Sequence, residues 1–256
     1  MKLLHNVSAR AQLLLSVILG IALLGLWSAL VALGHYPPFI LPGPEAVLNK
    51  AFQVLADGSL LRHVRVTLFE VLAGLALGSA AAVAAGYLLA RNEWFERILS
   101  PYLMAAQSVP IVALAPLLVI WFGFGLLSKV LVCALVVFSP MLIATIVGLR
   151  SAPSDLLDLM QVLHASRWDT FAKIEVPSAL PVLFGGLRLS VTLAVVGAVV
   201  GEFVGAQEGL GFLVNLAKGL FDTPLMFVAL GTLVVMAMAL YLCVLALERH
   251  LLSWRN

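Results

Sequence analysis

The chain has 256 residues, 62% of them hydrophobic and 11% charged, with a mean hydropathy of +1.10. A soluble domain is roughly 45–50% apolar and about 25% charged, so no soluble core could bury this much apolar surface, and the composition points to an integral membrane protein. A formal net charge of +2 is too small to argue for nucleic acid, and with so few charges their positions matter more than their sum.

A helix that crosses a bilayer needs about 20 mostly apolar residues. The first such run, 12–34, follows Lys2 and Arg10. It is longer than the roughly 7–15-residue core of a secretory signal, so it reads as a retained span that also directs insertion. A long polar connection, 35–66, carries the turn signals YPP and LPGP and a short helical stretch near 45–55. Further spans are predicted at 67–89, 102–122, 129–149, 182–205 and 224–247, which makes an all-α membrane protein of about six transmembrane helices. Between them lie a short charged link at 91–97, a Gly-rich corner at 123–128 and a long amphipathic loop at 151–181. A segment at 206–223 has Gly209, Gly211 and Gly219 among apolar residues and is expected to re-enter the membrane in part. No soluble domain boundary appears, so residues 1–256 read as one transmembrane domain: the N-terminal span at 12–34, core spans over about 67–247, and the loop.

Charge asymmetry orients these spans. With the N-terminus inside, Lys2, Arg10, Arg91, Arg97, Arg150, Arg167, Lys173, Arg249 and Arg255 face the cytoplasm. Lys50, Arg62, Arg65, Lys129 and Lys218 fall outside. The excess favours both termini in the cytoplasm, although Arg62 and Arg65 weaken it. The 151–181 loop is then cytoplasmic.

Catalytic and cofactor signatures are missing. A phosphate-binding loop needs G-x-x-x-x-G-K-[ST]; the nearest approach, GFGLLSK at 123–129, has the wrong spacing, and Val130 stands where Ser or Thr would hold magnesium. His5, His35, His63, His164 and His250 are scattered, with no H-E-x-x-H and no metal set. Cys133 and Cys243 sit in apolar runs and read as free thiols packed in the membrane. The chain is therefore not expected to be an enzyme or to hold a cofactor.

Three features mark a possible pathway. Gln107, Ser108, Pro110 and Pro116 lie in the third predicted span; a proline there frees a carbonyl and kinks the helix, which suits a hinge or passage wall as well as a simple packing kink. Arg188 and Glu202 stand in the fifth span, on nearly one helix face but about 21 Å apart along the axis, so they cannot pair with each other. Arg188 reads as a snorkelling anchor, a helix–helix contact or a pathway group. Glu202 either lines a passage or holds the Gly loop that follows it. Gly197, Gly201 and Gly205 have the spacing that lets helices approach closely, for intrachain packing or a dimer seam.

The 151–181 loop is the most informative segment. It mixes Asp155, Asp158, Arg167, Asp169, Lys173 and Glu175 with Leu163, Trp168 and Phe171. Pro153, Ser154 and Asp155 read as a helix start, followed by a turn near 164–166, a short second helix and extended chain through Pro177 and Pro181 into the fifth span. Its polar side is not rich in Lys or Arg, as a helix lying on anionic lipid would be. Docking into a groove on a soluble partner fits better.

This loop resembles the EAA loop of permease subunits of type I ABC importers. ASRWDTF at 165–171 and VPSALP at 176–181 match it. Asp158 takes the acidic position; Leu159 and Met160 replace the two alanines and His164 the glycine. FILPGPEAV at 39–47, SVPIVALAPLLVIWFGFG at 108–125, GLRLS at 186–190 and GEFVGAQEGLGFLV at 201–214 are similar to the nitrate/sulfonate/taurine permease family. The resemblance covers about residues 37–250. It implies a type I importer permease in a bacterial inner membrane, working by alternating access, with partners that are cytoplasmic ABC ATPase subunits holding ATP and Mg, a second permease copy and an extracytoplasmic binding protein. It also implies an ATPase-coupling surface of Asp158, His164, Ala165, Ser166, Arg167, Trp168, Asp169 and Phe171, and a pathway or gate that includes Gln107, Ser108, Pro110, Arg188, Glu202, Gly209 and Gly211. The substrate class is a small solute of sulfonate, taurine or nitrate type, or a vitamin such as riboflavin or a pyrimidine precursor. The competing readings are a stand-alone ion-coupled carrier, which would need coupling carboxylates and inverted repeats, and an intramembrane enzyme, which would need a catalytic constellation.

Overall fold

The computed structural model describes residues 9–253; Lys2, His5 and Arg255 lie outside them. All regular structure among the described residues is helical. The order is α1 (Ala9–Gly34), α2 (Pro44–Ala56), α3 (Ser59–Arg91), α4 (Glu93–Gln107), α5 (Ile111–Phe122), α6 (Leu126–Arg150), α7 (Ser154–Val162), α8 (Arg167–Thr170), a π-helical turn (Phe171–Glu175), α9 (Val176–Gly205), α10 (Leu210–Gly219) and α11 (Thr223–Leu251). Five helical runs are long and apolar enough to cross a membrane, or six if the bent α4–α5 pair counts as one span.

α6 is the central helix, packed between α3 and α9. Its Cys133, Val137, Met141 and Leu142 are buried, together with Val71 and Ala82 of α3 and Ala194 and Ala198 of α9. The approach is close because glycines line it. A Cβ on Gly78 would meet the Ala134 backbone, and one on Gly197 would come within 3.0 Å of the Cys133 Cα. In lipid, where tails are as apolar as the helix surface, such backbone proximity is what holds helices together. Gly197 and Gly201 thus serve intrachain packing. α1 lies at the periphery, with Trp27 stacked on Phe227 of α11 at 5.5 Å. Large apolar side chains along α1 and on the outer faces of α3, α6 and α11 are exposed, as a lipid-facing surface requires.

Several expectations need correction. The third span is not one helix: α4 and α5 meet at a 91° bend across residues 108–110, because Pro110 cannot donate to the α4 ladder and caps α5 instead. The 91–97 link is not a loop; only Asn92 separates α3 from α4, and its Oδ1 caps the backbone N–H groups of Trp94 and Phe95. The chain is not extended before the fifth span. Arg167–Gly205 is one continuous helical run of 39 residues. Pro177 lies inside this run, directly after the π turn Phe171–Glu175, which widens the helix where the proline ring would otherwise press on the preceding turn. The 206–223 segment holds α10, whose Leu210, Leu213 and Val214 are buried against α9, α11 and α3.

Candidate functional site

α3 is a rod of 33 residues, and the polar chemistry gathers at its two ends. At its C-terminal end stands the 151–181 segment. α7 closes in a Schellman motif: the Ala165 N–H donates to the Met160 carbonyl at 2.9 Å and the His164 N–H to the Gln161 carbonyl at 3.0 Å. His164 carries the left-handed residue of that motif, with φ +48°, at the position where the family pattern has glycine. Ser166 then caps α8, accepting the Asp169 N–H at 3.0 Å and donating its hydroxyl to the Asp169 carboxylate at 2.5 Å; Lys173 pairs with Asp169 one turn on, at 2.7 Å.

The π turn that follows α8 is bound to α3, and the end of α6 to α3 and α4. Arg91 donates to both oxygens of Glu175, at 2.9 and 2.6 Å, while its guanidinium lies over the rings of Tyr87 and Phe171. Arg150 pairs with Glu96 at 2.6 Å and donates to the Leu89 carbonyl at 3.4 Å. A cleft of about 780 Å³ opens between α3 and the α7–α8 pair, lined in part by Tyr87, Arg91, Arg167, Trp168 and Phe171. Trp168 is 71% exposed, with Val162 and Leu163 exposed beside it. Arg167 and Asp158 are also exposed. The result is an apolar, aromatic surface rimmed by charge and tied to α3 through Arg91 and Glu175.

A left-handed histidine costs about 1 kcal/mol more than glycine would, partly offset by the flexibility glycine adds to the unfolded chain. His164→Gly is expected to tighten the α7–α8 turn by about 0.5–1 kcal/mol and His164→Val to loosen it. Amide exchange at Ala165 checks this: protection should rise in the first variant and fall in the second.

At the other end of α3 is a buried polar hub. Glu202, at the end of α9, is 1% exposed. Its carboxylate accepts the Thr67 hydroxyl at 2.6 Å, the Phe212 N–H at 3.3 Å and the Gly211 N–H. Thr67 accepts the Leu210 N–H at 2.7 Å, and His63 Nδ1 accepts the Gly209 N–H at 3.0 Å. The carboxylate thus satisfies the free N–H groups at the start of α10, where the helix dipole also favours an anion. Gly209 has φ +121°, and a Cβ there or on Gly211 would run into Glu202, so both glycines are needed for this close wrap. Beside them, Lys129 of α6 pairs with Glu70 of α3 at 3.2 Å.

The remaining sequence candidates fall elsewhere. Gln107 lines a groove of about 620 Å³ with Ser139, Pro140, Gly185 and Gly186, and Ser108 and Pro110 form the adjoining bend. Arg188 lies outside that lining and pairs with Glu248 of α11 at 3.3 Å, a helix–helix contact. Thr67, Glu70, Lys129 and the Arg91–Glu175 clamp are functional candidates that sequence reading missed. The available signal was Glu70, an acid four residues into the span predicted from 67. Among the described residues no group of His, Cys, Asp and Glu could hold a metal.

Fold and site together define a multi-pass helical membrane protein with an exposed aromatic surface at one end and a stapled glycine loop at the other. The family described as "Binding-protein-dependent transport system inner membrane component" matches residues 74–254, and the chain belongs to it. Among its relatives, the riboflavin transport system permease protein RibX of Chloroflexus aurantiacus is 49% identical over 91% of this chain and 87% of its own length. The formylaminopyrimidine transport permease protein ThiX of Halalkalibacterium halodurans is 36% identical over 86% and 87%. The taurine transport system permease protein TauC of Escherichia coli is 29% identical over 96% and 91%. The fold is also that of a chain of the MetNI methionine ABC transporter in an inward-facing conformation, with a TM-score of 0.67 at 20% identity over 75% of this chain and 95% of that one. This chain is therefore an inner-membrane permease subunit of an ABC importer, and the family supplies an ATPase and a substrate-binding protein as partners. The stand-alone carrier and the intramembrane enzyme are set aside.

Proposed function

We propose that two copies of this chain form the passage of an importer for an aromatic, vitamin-type heterocycle, with riboflavin as the first candidate. Both termini and the 151–181 segment face the cytoplasm, where Asp158 and the 164–171 surface seat an ABC ATPase that holds ATP and Mg; the permease carries no cofactor. The observation that carries the coupling role is the unbroken helical run Arg167–Gly205. One rod bears the exposed Trp168 at its start and Glu202, the staple of the glycine loop, near its far end, about 50 Å away at 1.5 Å per residue. A displacement at the dock reaches the loop through continuous helical backbone, which can bend at the π turn and at Pro177 and Pro181. In this reading Glu202, Gly209 and Gly211 form the outer gate and Gln107, Ser108 and Pro110 the passage wall. Arg188 anchors α9 to α11.

The substrate reading rests on the identities, 49% to the riboflavin permease against 29% to the taurine permease. The cognate binding protein, purified without added solute, is expected to retain a flavin, visible by its absorbance and fluorescence. Retention of taurine or another sulfonate in its place would overturn the substrate reading and leave the coupling reading standing.

A further inference from the structure

The hub holds two buried carboxylates and one buried ammonium, and they are not equally satisfied. Glu202 has three donors. Glu70 is fully buried and has no backbone donor of the kind that serves Glu202; its counter-charge is the Lys129 ammonium, 3.2 Å from its Oε1. The two carboxylates are close enough to interact. The stem of Lys129 packs along Gly201, with its Cα, Cβ and Cγ 3.2–3.5 Å from where a Gly201 Cβ would sit, and its ammonium reaches Glu70, whose side chain in turn faces Glu202. A buried carboxylate stripped of its partners is strongly destabilising. The 209–212 loop therefore cannot leave Glu202 unless another group takes over that charge, and Lys129 is the cation within reach.

We propose that Lys129 is a switch cation: it pairs with Glu70 while the glycine loop is stapled to Glu202, and transfers to Glu202 when the loop is released. Glu70 is the parking site that holds the ammonium in the stapled state, and Gly201, lacking a side chain, lets the lysine stem lie close against α9. The inference rests on the reading of 209–212 as the outer gate. It adds that gate opening is a charge exchange among α3, α6 and α9, so that Glu70 and Lys129 act as positioning residues for the gate.

The exchange predicts effects of opposite sign from one residue. In Glu70→Gln the ammonium loses its parking site and moves to Glu202, and the loop is freed. In Glu70→Gln/Lys129→Met no cation can replace the loop, and it is locked. Adding Glu202→Gln to that double variant removes the charge that needs a partner and frees the loop again. Loop release is read in the assembled importer, permease with ATPase and binding protein in nanodiscs, from maleimide alkylation of Leu210→Cys followed by peptide mass spectrometry. Leu210 is fully buried in the stapled state, so alkylation reports the released population. In the resting importer, Glu70→Gln should alkylate at least about tenfold faster than the parent and the double variant at least about tenfold slower than Glu70→Gln. The triple variant should return to the fast rate. Equal rates in the single and double variants, or a triple variant as slow as the double, would overturn the exchange. The gate reading is tested separately by the parent: alkylation should accelerate when ATP and loaded binding protein are added, and a rate that ignores them contradicts the gate whatever the resting comparison gives.

Discussion

Glu202→Ala is expected to destabilise the protein by about 3–5 kcal/mol, the range seen when one partner of a buried charged network is removed. Three donors lose their acceptor, the Thr67 hydroxyl and the N–H groups of Gly211 and Phe212, and each buried donor left unsatisfied costs about 1–3 kcal/mol. Glu202→Gln should cost less than half as much, since its carbonyl oxygen still accepts while its amide faces the N–H groups unfavourably. Thermal unfolding in nanodiscs ranks the two. Hydrogen exchange should place the loss at 209–214 and the adjoining start of α3, with the α6 centre unchanged. Equal melting temperatures for the parent and the alanine variant would contradict the assignment of Glu202 as the staple.

Trp168→Ala is expected to do the reverse: little to stability, much to assembly. Trp168 is 71% exposed, and its ring contact in the chain is with Phe171 at 5.6 Å. Its removal should therefore change folding stability by no more than about 0.5 kcal/mol. A tryptophan at the centre of a docking surface is a typical energetic anchor, with losses of about 2 kcal/mol or more on truncation. That corresponds to an ATPase affinity roughly 30-fold weaker. Charge reversal at Arg167 or Asp158, on the rim, should weaken binding less and show mainly as ATP hydrolysis no longer tied to uptake. Unchanged copurification of the ATPase with Trp168→Ala would remove this surface from the interface.

The local grammar of the chain was largely readable. The stretch expected near 45–55 is α2, Pro44–Ala56, because LPGP sets up a helix whose first turn accepts proline. The two helices of the 151–181 loop follow from Pro153 and from the Ser166 cap. The substitution of His164 for glycine, visible as a departure from the family pattern, turns out to preserve the backbone that glycine would adopt. Legibility ended where the outcome depends on contacts far apart in sequence. Pro110 announced a break, but not its size, the 91° between α4 and α5. Pro177 and Pro181 suggested extended chain, but both lie within a helical run, Pro177 directly after a π turn. The hub joins Thr67 to Glu202 across 135 positions, a pairing no periodicity encodes. The spacing of Thr67 and Glu70 on one face of α3 was its only local trace.

On the proposed reading, this permease is driven through its 151–181 surface by a separate ATPase. The direct measurement is solute uptake by proteoliposomes that hold the permease with its ATPase and binding protein, compared with the same vesicles carrying Trp168→Ala/Arg167→Glu and with vesicles lacking the ATPase. Uptake is expected to be ATP-dependent in the first and absent in the other two, with the variant permease still folded. Uptake that persists without the ATPase, or that is undiminished in the variant, would contradict that reading.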